Sequence, residues 1–164
     1  MKVIWKKQNI IKFIESFEEK HNLFVAHGCN CFCTMGAGVA LALTEYTNGE
    51  VYKADVDNGR FGDINKLGTF SKCIDNDVEY YNCYTQFGIK PPHGRGVYVH
   101  WDSVFKALAT IINQRMHDGD TLVIVPIGTG LAGGSVVNFE SVISKLSKLA
   151  KPDVTLVICD NSKK

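Results

Sequence analysis

The sequence predicts an α/β fold in three layers (α/β/α), a mixed, mostly parallel central sheet covered by helices on both faces. Three observations carry this reading. The apolar runs Asn22–Ala26, Thr121–Val125 and Val154–Cys159 are continuous in Val, Ile and Leu, as strands buried on both faces are. Segments with apolar residues at helical spacing alternate with those runs. Two glycine-rich segments each follow a strand and precede a helix, at the edge where open α/β sheets hold ligands.

Taken in order, Lys2–Lys6 sets Val3 and Trp5 between lysines and reads as a short strand. Ile10, Ile11, Phe13, Ile14 and Phe17 recur at helical spacing. The strand Asn22–Ala26 leads into the first glycine-rich segment, and a helix is expected over Gly38–Tyr46. Residues Thr47–Leu67 are polar, with Gly49, Gly59 and Gly62, and read as short helix and loop. Leu67–Ile74 and Val78–Tyr84 form two strands joined through Asp75-Asn76-Asp77, good turn chemistry. Phe87–Gly96, with two prolines and three glycines, is the most loop-like stretch. The helix Trp101–Met116 places Val104, Phe105, Leu108, Ile111 and Ile112 on one face, with Asp102 or Ser103 as its N-terminal cap. The strand Thr121–Val125, the second glycine-rich loop Pro126–Gly134, the helix Val137–Ala150 and the strand Val154–Cys159 complete the chain.

The 164 residues suit one domain over 1–164, with no repeat or linker to divide them. A net charge of +1, from 18 basic and 17 acidic residues, excludes a non-specific polyanion binder. It leaves room for a small anion held by backbone amides. Of six cysteines, Cys29, Cys31 and Cys33 crowd together, and no CxxC pair meets a second pair, so no metal is expected. With neither a leader nor an apolar stretch of membrane-spanning length, the expected setting is reducing and cytoplasmic, with no membrane partner.

The chemistry concentrates in the two loops. In Ala26–Leu43 (AHGCNCFCTMGAGVALAL), Gly36 and Gly38 stand just before a helix, where free amides and the helix dipole favour an anion. In Pro126–Gly134 (PIGTGLAGG), Gly128 and Gly130 flank Thr129, whose hydroxyl can add a donor to a ring of amides. Neither loop fits GxxxxGK[ST] or GxGxxG, which sets aside P-loop nucleotidases and dinucleotide dehydrogenases. Together they suggest a phosphate or diphosphate clamped from two sides.

On these residues the chain resembles a macro domain over nearly its whole length. His27-Gly28-Cys29-Asn30 followed by Gly36-Ala37-Gly38-Val39-Ala40 is similar to that family's first ligand loop, and Pro126-Ile127-Gly128-Thr129-Gly130 to its phosphate-holding loop. The spelling is nearest to the branch of ADP-ribose-1''-phosphate phosphatases and ADP-ribosyl-ester hydrolases, which includes phage-encoded homologues. The resemblance implies ADP-ribose or ADP-ribose-1''-phosphate as ligand, with no cofactor. Asn9 and Ile10 then take the family's Asp–Ile place at the adenine, with Asn9 accepting from the adenine amino group. Asn30 is expected at the distal ribose, Gly36, Ala37, Gly38 and Val39 around that ribose and one phosphate, and Gly128, Thr129, Gly130, Leu131 and Ala132 on the diphosphate.

The departures bear on catalysis. Met35 stands where many phosphatase-type members have histidine, and Gln86 and Ala132 where the ester-hydrolysing branch has lysine and aspartate. A covalent lysine mechanism is therefore not expected. His27, Asn30 and Gln86 are the catalytic candidates: His27 as proton acceptor, Asn30 orienting the distal ribose, Gln86 orienting a water. Each has a structural alternative: backbone hydrogen bonding for His27, packing for Gln86. Phe32 is a candidate wall for the distal ribose pocket, and His93 a candidate lid. The expected activity is hydrolysis of the 1''-phosphate. Two alternatives stay open: removal of ADP-ribose from modified protein or nucleic acid, and a reader that binds such nucleotides without turnover.

Overall fold

A computed structural model describes residues 1–88, 98–130 and 132–162. The loop reading of Phe87–Gly96 falls largely outside these residues, as do His93 and Leu131.

Six strands form one sheet in the order β1-β6-β5-β2-β4-β3. They are β1 (Lys2–Lys6), β2 (Leu23–Cys29), β3 (Phe70–Asp75), β4 (Val78–Tyr84), β5 (Thr121–Ile124) and β6 (Thr155–Cys159). Every neighbouring pair is parallel except β3 with β4. That antiparallel pair turns through Asn76 and Asp77, whose φ angles of 47° and 67° are ones Asn and Asp tolerate better than other side chains. The helices are α1 (Ile10–Ser16), α2 (Gly38–Tyr46), α3 (Glu50–Asn58), α4 (Trp101–Arg115) and α5 (Val136–Leu149).

The period of two along each strand builds two cores. Phe24 and Ala26 of β2, with Leu122, Ile124, Leu156 and Ile158, pack against Leu108 and Ile111 of α4 and Phe139 of α5. Leu23, Val25 and Cys29, with Tyr80, Tyr84 and Val157, pack against Phe13 and Ile14 of α1, Leu43 of α2 and Val51 of α3. Three layers result, as the sequence predicts.

The differences from the sequence reading have local causes. β2 runs three residues beyond Ala26, because His27, a polar residue in the middle of a buried strand, finds its partner on the neighbouring strand. The short helix expected within Thr47–Leu67 is, by contrast, found there as the nine-residue α3, entered at Gly49 with a φ of 90°. The cap position of α4 is His100, with Asp102 inside the first turn, so neither Asp102 nor Ser103 is the cap. Trp101 and Phe105 pack against the core, in line with their helical spacing.

Candidate functional site

Because β1, β6, β5, β2 and β4 are mutually parallel, their carboxyl ends share one rim. Along it stand Asn9 after β1, the second loop after β5, the first loop after β2 and Gln86 after β4. The two loops meet at Gly28. A Cβ built there would lie 2.6 Å from Thr85 Oγ1 and 2.9 Å from Ile127 Cγ2, so only hydrogen at this position lets the end of β2 close against the second loop. Gly128, with φ +82°, seats the second loop against Val99 in the same way, and Val99 bridges to Gln86.

The first loop is braced from within. Asn30, 8% exposed, accepts at Oδ1 from the Phe32 amide (2.8 Å) and donates through Nδ2 to Thr34 O (3.1 Å) and Thr34 Oγ1 (2.7 Å). Asn30 thus shapes the loop before it touches anything else, and Thr34 joins it as a residue the sequence reading missed. Phe32 sits edge-on between Phe61 (5.3 Å between centroids) and Phe87 (4.9 Å). Gly36, Ala37 and Gly38 are exposed, and Val39 is half-buried. The hydrogen bonds of α2 begin with Leu41 N to Ala37 O, so the amides of Gly38, Val39 and Ala40 have no acceptor within the helix. Among the described residues no side chain caps this end.

In the second loop, Gly134 N donates to Gly128 O (2.7 Å) and Gly133 N to Gly130 O (3.0 Å), closing a tight turn. The Thr129 hydroxyl, expected as a donor to the anion, donates to Pro126 O at 2.8 Å within the turn. Ala132 is buried, and its carbonyl accepts from Tyr98 N. At the far end of the rim Asn9 caps α1, its Oδ1 accepting from Ile11 N at 2.8 Å and Lys12 N at 3.4 Å, while Ile10 is buried. The side-chain acceptor expected for a base amino group is therefore already engaged, and the free side of Asn9 is its NH2.

The structure also corrects the role expected of His27. It is 0% exposed, in the middle of β2, with Nε2 2.6 Å from Asn82 Oδ1. Asn82 Nδ2 donates to Val51 O and Ser71 Oγ (3.0 Å each), so its Oδ1 faces the imidazole and Nε2 carries the proton. Burial lowers the His27 pKa, partly opposed by the Asn82 hydrogen bond and the Asp55 charge. A neutral ring sealed beneath the first loop cannot collect a proton from a ligand above it. Gln86 is half-buried, and its Nε2 donates to Gly88 O at 2.9 Å.

The three crowded cysteines are free thiols, and burial raises the pKa of each. Among the described residues no cluster of His, Cys, Asp or Glu is arranged to hold a metal ion, and no helix is long and apolar enough to cross a membrane. A cavity of about 500 Å³ lies between the sheet and α1, beside Thr121, Thr155, Val157, Phe13, Phe17 and Lys6, and no residue of either glycine-rich loop lines it.

No protein-family model matches the chain. It is 31% identical over 163 residues to an uncharacterized 17.5 kDa protein from the tk-vs intergenic region of Enterobacteria phage T4, covering 90% of this chain and 96% of that one. In fold it is similar to the macrodomain of Mycobacterium tuberculosis DarG, with TM-score 0.67 and 15% identity over 94% of this chain and 96% of that one. Thermosipho africanus DarTG, solved in complex with ADP-ribose, aligns with TM-score 0.63 and 13% identity over 86% of this chain and 39% of that one.

Proposed function

The chain belongs to one family with the 17.5 kDa phage T4 protein and has the macrodomain fold, and from that premise we propose that it binds ADP-ribose along the rim and hydrolyses the 1''-phosphate of ADP-ribose-1''-phosphate. The observation that carries the reading is the contact at Gly28, which sets the two glycine-rich loops side by side. The amides of Gly38, Val39 and Ala40 face the diphosphate from one loop and those of Gly128 and Gly130 from the other. From β2 across β5 and β6 to β1 is three strand spacings, about 14 Å, a span that suits a diphosphate with a nucleoside at one end and a ribose at the other. The base lies over Asn9 and Ile10, the distal ribose by Asn30 and Phe32. The complex of Thermosipho DarTG with ADP-ribose supports the choice of ligand.

Catalysis on this reading is positioning and electrostatic stabilisation. The loop amides fix the diphosphate and Asn30 fixes the distal ribose, with Gln86 beside the attacking water. Water adds to the 1''-phosphorus, the bond to the ribose oxygen breaks, and inorganic phosphate and ADP-ribose leave. With His27 sealed below the loop, an oxygen of the substrate's own phosphate takes the water's proton and passes a proton to the departing ribose oxygen.

Calorimetric titration with ADP-ribose, followed by a phosphate-release assay on ADP-ribose-1''-phosphate, tests both halves. Binding with release supports the proposal; binding without release leaves a reader of ADP-ribose-type nucleotides. That second reading is favoured by one observation: the histidine expected to serve as base is buried. Removal of ADP-ribose from macromolecules is the weaker alternative, since Gln86 and the buried Ala132 supply neither lysine nor aspartate.

A further inference from the structure

Beneath the first loop lies a buried lysine that the proposed chemistry does not use. Lys66 ends a 3-10 turn (Ile64–Lys66) and is 0% exposed. Its Nζ lies 2.9 Å from Gly59 O, 3.4 Å from Cys31 O and 3.9 Å from Cys33 Sγ, and 4.3 Å from the centre of the Tyr84 ring. Three acceptors for three N–H groups satisfy the ammonium. No ion pair joins it to a carboxylate among the described residues. The buried acid of this region, Asp55, takes a hydrogen bond from Tyr84 at Oδ1 (2.6 Å), and among the described residues its Oδ2 has no hydrogen-bond partner within normal distance. Asp55 and Lys66 act in opposite directions on the thiols of Cys29, Cys31 and Cys33.

An ammonium placed this deep without a counterion in contact gives up its hydration, and its hydrogen bonds to two carbonyls largely offset that loss, so its net contribution to stability is small. What it does accomplish is geometric. Cys31 and Cys33 belong to the first loop, and Cys33 holds a left-handed φ of 56°. Cys31 O also accepts from Gly62 N at 2.8 Å. One cation therefore ties the loop to the connection after α3 and to β4.

We propose that Lys66 is a positioning residue for the first loop, fixing the Cys31–Cys33 backbone so that the amides after Gly36 stand ready for the ligand. The proposal rests on the reading of that loop as a ligand loop.

The test compares wild type with Lys66→Met and Lys66→Arg by three readouts: thermal midpoint, amide hydrogen exchange over residues 31–37 without ligand, and ADP-ribose affinity. The expected result for Lys66→Met is a midpoint within a few degrees of wild type, loop exchange faster by about tenfold, and affinity weaker by about tenfold or more. Lys66→Arg, which keeps charge and donors, recovers most of the exchange protection. Unchanged exchange in a folded Lys66→Met overturns the anchor. A Lys66→Met protein that fails to fold, or whose midpoint falls together with its affinity, also overturns it, since Lys66 is then a stabilising element of the fold. Wild type that binds no ADP-ribose overturns the functional reading instead, and exchange distinguishes the two failures because it is read without ligand.

Discussion

His27 on β2 and Asn82 on β4 stand opposite each other in the parallel register, 2.6 Å apart from Nε2 to Oδ1, both shut off from solvent. The pair locks two central strands together below the first loop. It makes His27 part of the sheet's interior, not of the rim, and it gives the protein a titration of its own.

That titration sets a pH dependence. Burial holds the folded His27 pKa below its ordinary value, so between that depressed value and about 6.5 the unfolded chain binds the extra proton. Stability is full above about pH 6.5 and declines as pH falls, by at most about 1.4 kcal/mol per pH unit from this group. His27→Gln keeps a donor toward Asn82 and removes the titration. Chemical denaturation at pH 5.5 and 7.5 should show a smaller difference between the two pH values in the variant than in wild type.

Gly28 and Gly36 form a contrasting pair. Gly28→Ala places a methyl 2.6 Å from Thr85 Oγ1 and 2.9 Å from Ile127 Cγ2, and overpacking of this kind costs about 1–3 kcal/mol. Gly36→Ala meets nothing within 4 Å among the described residues, and its stability should stay within about 0.5 kcal/mol of wild type. Denaturation midpoints of the two variants check this. Comparable losses at both positions would mean the loops are not seated through Gly28.

Most of the fold is legible in the sequence because the strands bury both faces and so read as unbroken apolar runs. Lys2–Lys6, Gly38–Tyr46 and Val78–Tyr84 are found with the boundaries the sequence predicts. The end of β2 is not legible: a histidine, a glycine and a cysteine carry no strand signal, and their place depends on Asn82, Thr85 and Ile127, far along the chain. For the same reason Lys66 and Asp55 are invisible in advance, since charged residues between glycines in a polar stretch read as solvated loop. The glycine-rich turns are legible because the demand there is local. The side chains around them are not, because Asn9, Asn30 and Thr129 each have a hydrogen-bonding group already committed to nearby backbone.

Asn9 yields a prediction about the base. Asp caps a helix as well as Asn does, so Asn9→Asp should fold normally. One carboxylate oxygen would still receive Ile11 N, and the other would replace the free NH2 with a charged acceptor. Affinity for ADP-ribose, whose base carries an amino group, should rise about tenfold. Affinity for the hypoxanthine analogue, which carries a carbonyl there, should fall. Calorimetry with both ligands checks this, and an unchanged ratio would place the base elsewhere.

The central claim is that backbone amides of two separate turns hold one diphosphate. Amide chemical shifts followed residue by residue during titration with ADP-ribose test it most directly. Gly38, Val39 and Ala40 should move together with Gly128 and Gly130 along a single saturation curve. Shifts confined to one turn, or gathered around Thr121 and Thr155 at the other end of the sheet, would contradict it.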